Sequence, residues 1–127
     1  MEHSAVEKEI TEKAREWVDE YGEDFLVGLI DVYLEETPIR LTQLRKAFEE
    51  GDADRLTREA HTLKSSSAGF GAIALTALAQ QIEFAGRSGK WDSMAGDIER
   101  LEKEFAQVKA TLQALKAAPD DFVTRDR

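Results

Sequence analysis

The chain has 127 residues, a formal net charge of −9 and no cysteine. This length predicts one domain with a single core, and the missing cysteines exclude disulfides and thiolate metal sites. The negative charge argues against a nucleic-acid partner, because affinity for phosphates comes mainly from lysine and arginine. We expect no membrane span, no signal peptide and a cytoplasmic location. No glycine-rich phosphate loop of a common type occurs, so we expect no ATP site.

The first helix is predicted over about residues 5–21. Ser4 and Glu7 have the spacing of a capping box, in which each side chain accepts the backbone N–H of the other. The apolar residues that follow at helical spacing are Val6, Ile10, Ala14, Trp17 and Tyr21. Gly22 ends the pattern, and we expect residues 1–22 to form a helix added to the main domain.

The second helix is predicted from about residue 23 to Gly51 and contains Pro38. Two helices that meet at Thr37-Pro38 would also fit, with Thr37 as an N-cap. One long kinked helix is favoured, because the apolar face stays in phase across the proline. The residues of that face are Phe25, Leu26, Leu29, Ile30, Tyr33, Leu34, Leu41, Leu44 and Phe48.

The third helix is predicted over about residues 53–68, with Asp52 as its N-cap. One narrow face carries small and apolar residues at spacings of four and three: Leu56, Ala60, Leu63 and Ser67. Gly69 and Gly71 then bracket Phe70, which indicates a turn with positive φ that places an aromatic ring between helices.

The fourth helix is predicted from Ala72 to about Arg87, with Ser88-Gly89 at its end. Its core-facing residues are Leu75, Leu78, Ala79 and Ile82. A second apolar line lies on the opposite side and consists of Ile73, Ala77 and Phe84. Burial of this line under the first helix is favoured over the alternative, in which it contributes to docking of a partner.

The fifth helix is predicted behind an Asp92 cap, and its apolar residues alternate at spacings of four and three. They are Met94, Ile98, Leu101, Phe105, Val108, Leu112 and Leu115. A homodimeric coiled coil would show the same pattern, but the other amphipathic helices each need a partner face. The predicted fold is therefore all-α: an antiparallel up-down four-helix bundle over residues 23–116 with an additional N-terminal helix. Residues 117–127 are predicted to form a flexible polar tail. A bundle closed in this way is expected to be a monomer.

His61 lies outside the apolar face of the third helix. At about 100° per residue it falls roughly 140° from the centre of that face, so we expect its ring to point to solvent. Lys64, three residues later, is near enough to reach a group attached to the imidazole. Taken alone, these two residues favour a surface histidine that has a lysine beside it by chance.

The residues around His61 resemble the signature of histidine phosphotransfer (HPt) domains of two-component phosphorelays. The chain reads His-Thr-Leu-Lys-Ser-Ser-Ser from His61 and Gly-Phe-Gly-Ala from Gly69. The family pattern is His-x-Leu-Lys-Gly-Ser/Ala-Ser/Ala, followed by Gly-Ala. Ser65 departs from it, because the family more often has glycine there, where a small residue lets a partner's loop approach the histidine. In pattern the resemblance extends over roughly residues 24–115.

The resemblance implies a site. His61 would accept the phosphoryl group, and Lys64 would offset the charge of the phosphohistidine. Glu83 falls at the position from which the family orients the imidazole, and Arg87 matches a basic residue that orients the site in some members. Without the resemblance, Glu83 and Arg87 would be a surface ion pair at i,i+4.

The resemblance also implies the partners. The catalytic aspartate and Mg²⁺ would belong to a response-regulator receiver domain, so the chain itself would hold no cofactor and no metal. It would be a phosphoryl carrier rather than an enzyme, and a sensor or hybrid histidine kinase would stand upstream. An initiator methionine and a capped first helix favour a free-standing protein over an excised kinase domain.

Three other functions fit parts of the pattern. A pseudo-HPt adaptor would bind receivers without accepting phosphate, but both His61 and Lys64 are present. The phosphotransfer domain of a chemotaxis-type kinase is disfavoured, because no kinase module follows. A purely structural bundle would leave the solvent-facing motif unexplained.

Overall fold

The computed structural model describes residues 4–117, so nearly all of the predicted polar tail lies outside the described residues. Five helices form this part of the chain: α1 (Ala5–Tyr21), α2 (Glu23–Glu50), α3 (Ala53–Ala68), α4 (Ile73–Ser88) and α5 (Met94–Ala117). Each helix from α2 to α5 packs on the next, and α5 packs back on α2. Short connections make such neighbours antiparallel. The predicted all-α bundle is confirmed, and α1 packs across α2 and α5.

Most predicted helix ends agree with the structure. The Ser4 hydroxyl accepts the Glu7 N–H at 3.2 Å, and the Asp52 carboxylate accepts the Arg55 N–H at 3.1 Å. The second helix runs unbroken through Pro38, as predicted. The Asp92 cap is wrong: the Met94 N–H donates to the Trp91 carbonyl at 3.1 Å, which closes a turn around Asp92 and delays the start of α5 to Met94.

The turn between α3 and α4 is held by α1. Gly71 has a φ of +73°, whereas Gly69 has a helical φ of −60°, so only one of the two glycines adopts the expected positive φ. A Cβ at Gly71 would lie 2.9 Å from the Glu9 carbonyl oxygen, which shows how closely α1 approaches this turn. The Trp17 indole N–H donates to the Gly69 carbonyl at 2.7 Å. These contacts fix the end of the helix that carries His61.

A single core fills the bundle, with fully buried residues from all five helices, among them Ile10, Leu44, Leu63, Ile82 and Leu101. Within it, the Tyr33 hydroxyl and the Ser67 hydroxyl form a buried hydrogen bond of 2.8 Å that joins α2 to α3. Burial raises the pKa of Tyr33 to about 12, so the phenol stays protonated at neutral pH. The narrow face predicted for α3 is confirmed: it is the face that packs inward.

The predicted burial of the second apolar line on α4 is wrong. Ile73 is 63% exposed and Phe84 is 64% exposed, and Ala77 is exposed between them. The physical reason is the position of α1, which buries Ile10 and Ala14 by packing mainly on α2 and α5 and does not cover this side of α4.

Candidate functional site

The His61 side chain projects from α3 on the side away from the core and is 56% exposed. This orientation follows from the packing of α3, whose inward face is occupied by the small and apolar residues described above. Most of the imidazole is therefore within reach of another molecule. The predicted direction of the ring is confirmed.

One edge of the ring contacts a buried carboxylate. Glu83 of α4 is only 2% exposed, and its Oε2 lies 2.9 Å from Nδ1 of His61. α3 and α4 form the most extensive helix pair in the described part of the chain, and this packing brings residues 22 positions apart into contact. A carboxylate so deeply buried needs partners that offset its charge.

Two cations supply that charge. The Lys64 Nζ lies 2.7 Å from Glu83 Oε1, and the Arg87 Nη2 lies 2.6 Å from Glu83 Oε2. The Lys64 ammonium therefore forms a close ion pair with the carboxylate. The Glu83–Arg87 pair at i,i+4 exists, but because its carboxylate is buried it is not the ordinary surface pair considered above. The structure thus brings His61, Lys64, Glu83 and Arg87 together.

Glu83 is ionised at neutral pH. Burial raises the pKa of Glu83, but the contacts from Lys64 and His61 and the charge of Arg87 lower it by more, so the pKa lies below the ordinary value. The ionised carboxylate therefore stabilises the fold above the ordinary glutamate pKa. This contribution is lost as the pH falls through the lower folded-state value.

The charge of Glu83 determines which ring nitrogen of His61 is free. An ionised carboxylate only accepts hydrogen bonds. Nδ1 must therefore carry the proton that it donates to Glu83, and in the neutral ring Nε2 then keeps its lone pair. With its proton fixed on the carboxylate side, the exposed imidazole can act as a nucleophile through Nε2.

Comparisons with known proteins identify the family of the chain. The model of the Hpt domain family matches residues 28–118, which is most of the chain. The chain belongs to the Hpt domain family. The crystal structure of histidine-containing phosphotransfer protein B (HptB) from Pseudomonas aeruginosa PAO1 is similar, with a TM-score of 0.77 and 29% identity over 82% of this chain and 90% of that chain. A comparison with curated proteins found no match.

This Hpt domain is therefore a histidine phosphotransfer protein of two-component signalling. Members of the family carry phosphoryl groups rather than turn over substrates, and in phosphorelays they interact with receiver domains and kinases. Within residues 4–117, no helix is long and apolar enough to cross a membrane, and no group of acidic, histidine or cysteine side chains could hold a metal ion.

Ser65 lies one turn after His61 and is exposed, at the edge of a groove of about 360 Å³ between α2 and α3. The wall opposite α3 comes from α2, including the exposed Val32 and the charged Glu36 and Arg40. The sequence motif contains no α2 residue, so this wall was missed. Only the position of the α2 face relative to α3 could have indicated it, and helical periodicity does not give that position.

Proposed function

We propose that His61 relays a phosphoryl group between the aspartates of two receiver domains. The observation that carries the proposal is the 2.9 Å contact of Nδ1 with a buried, ionised Glu83, because it leaves Nε2 as the free nitrogen on the exposed part of the ring. The family supports the class of chemistry. In this proposal residues 23–116 form the phosphotransfer unit, and the protein works as a cytoplasmic monomer.

The transfer step forms one bond to phosphorus and breaks another, and no proton has to leave the site. The Nε2 lone pair attacks the phosphorus of an aspartyl phosphate, the bond from phosphorus to the aspartate oxygen breaks, and the aspartate departs as a carboxylate. The phosphorylated ring keeps its Nδ1 proton and a positive charge, which Glu83 offsets. The reverse step delivers the group to the next receiver. Catalysis of this kind consists mainly of positioning and charge stabilisation.

Lys64 and Arg87 act on the phosphoryl oxygens. Both cations contact Glu83, but the Lys64 side chain is 29% exposed and the Arg87 side chain is 64% exposed. Each can therefore turn towards a phosphoryl group on the His61 ring. Their positive charges would stabilise the transferring phosphoryl group. Ser65 gives the receiver loop room to approach, and the receiver brings the Mg²⁺ and the aspartate. The chain itself contributes no cofactor and does not use ATP.

Transfer of labelled phosphate tests the proposal. Receiver domains carrying ³²P should label the wild-type protein, and the label should be acid-labile and base-stable. The variant His61→Gln should take up none, because it lacks the nucleophile. The control is Thr62→Ala, which changes the exposed neighbour of His61 and should label like the wild type.

Two outcomes would contradict the relay. Label on His61→Gln would place the acceptor elsewhere. Wild-type protein that binds a broad panel of phosphorylated receivers without becoming labelled, with binding unchanged in His61→Gln, would support the pseudo-HPt adaptor instead.

A further inference from the structure

Gly86 lies where α4 packs closely against α3. It is buried, and an added Cβ would meet Thr57 Oγ1 at 2.7 Å and Leu56 Cδ2 at 2.8 Å, both shorter than a van der Waals contact. Gly86 follows Glu83 by three residues, and Thr57 precedes His61 by four. Because α3 and α4 are antiparallel, the contact of Gly86 with Thr57 lies about one helical turn along the interface from the contact of Glu83 with His61.

We propose that Gly86 is a positioning residue for the phosphotransfer site. Its missing side chain sets the distance between α3 and α4 that brings the Glu83 carboxylate to Nδ1 of His61. The distance between packed helices depends on the side chains at their contact and varies by about 2 Å for this reason. The effect of Gly86 on the distance between α3 and α4 does not depend on the function of the protein. Its effect on phosphoryl transfer rests on the proposed function.

A methyl group at residue 86 requires its neighbours to shift, because both contacts would be shorter than 3.0 Å. Leu56 is 0% exposed, so its Cδ2 cannot turn aside without disturbing the core. Movement of α4 away from α3 would relieve both contacts at once and leave the packing of Leu56 intact. A displacement on the order of 1 Å would lengthen the 2.9 Å contact of Glu83 with His61 beyond hydrogen-bond distance.

The tautomer of His61 measures this displacement. In protein with ¹⁵N-labelled histidine rings at mildly alkaline pH, the wild type should show protonated Nδ1 and unprotonated Nε2. Gly86→Ala should move these signals to the values found in Glu83→Ala. The matched control is Gly28→Ala on α2, where a Cβ would meet nothing within 4 Å, and it should keep the wild-type signals and at least the wild-type thermal midpoint.

A compensating variant separates positioning from a general loss of stability. Leu56→Val with Thr57→Ala removes the two atoms that the new methyl group would meet. Adding both changes to Gly86→Ala should restore the wild-type ring signals. A folded Gly86→Ala protein that keeps the wild-type tautomer would overturn the proposal. If Gly86→Ala alone does not fold, the triple variant decides: wild-type signals support the proposal and signals like those of Glu83→Ala overturn it.

The ring signals need no phosphate donor, so failure of this proposal and failure of the proposed function are distinguishable. Wild-type protein that takes up no label would reject the phosphorelay while the tautomer result still stands. Where the wild type is labelled, Gly86→Ala should lower the transfer rate to that of Glu83→Ala. A wild-type rate in Gly86→Ala would overturn the positioning role.

Discussion

Glu83→Ala should slow phosphoryl transfer from a receiver domain to His61 by about ten- to hundred-fold, by analogy with the range typical when the partner that orients a metal-binding histidine is removed. The variant loses the acceptor of the Nδ1 proton, so the ring can rotate and adopt the tautomer with Nε2 protonated. It also removes the negative charge that offsets the phosphorylated ring. Rapid-quench measurement of the transfer rate would test this expectation.

Two comparisons isolate the cause. Glu83→Gln keeps an acceptor oxygen but loses the charge, so its rate should fall between those of the wild type and Glu83→Ala. Glu102→Ala breaks another ion pair, in which both carboxylate oxygens contact Arg45 at 2.6 and 2.9 Å between α2 and α5. It should leave the transfer rate unchanged. A wild-type transfer rate in Glu83→Ala would show that the buried carboxylate does not orient the His61 ring for transfer.

Ile82→Ser should destabilise the protein by about 3–5 kcal/mol, because it deletes a buried side chain and buries a hydroxyl in its place. Ile82 is 0% exposed, whereas Phe84, two residues later on the same helix, is 64% exposed. Phe84→Ser should therefore change the free energy of unfolding by less than about 0.5 kcal/mol. Urea unfolding followed by circular dichroism would measure both variants.

The same pair tests the role of the exposed line on α4, formed by Ile73, Ala77 and Phe84. If Phe84→Ser cost as much stability as Ile82→Ser, the line would be buried in solution, contrary to the structure. Unchanged stability together with weaker receiver binding would assign the line to docking.

Periodicity predicted the helices well because each one buries a single dominant face. On α4 it predicted the core-facing line correctly but could not place the second apolar line, which lies in solvent rather than under α1. Whether α1 covers that second line depends on how α1 packs, and it packs mainly on α2 and α5. The start of α5 was misplaced for a local reason, because Asp92 is a good cap by type but lies within a turn.

The residues of the site could be located from the sequence, but their energetics could not. The motif and helical spacing pointed to His61 and Lys64, and the family resemblance implied Glu83 and Arg87. The structure brings all four together. Glu83 is almost completely buried and contacts the other three residues. Its burial and its contacts with α3 depend on how closely α3 and α4 pack. Gly86, which a sequence shows only as a weak helix former, becomes informative once its distance to α3 is known.

The nitrogen of His61 that carries the phosphoryl group tests the central claim most directly. Protein with ¹⁵N-labelled histidine rings, phosphorylated by a receiver domain, would be examined for coupling between phosphorus and each ring nitrogen. The chain has two histidines, so His61→Gln identifies the signal. Coupling to Nε2, with Nδ1 still protonated, is the result that the contact with Glu83 predicts. A phosphoryl group on Nδ1, or on no histidine at all, would contradict the account.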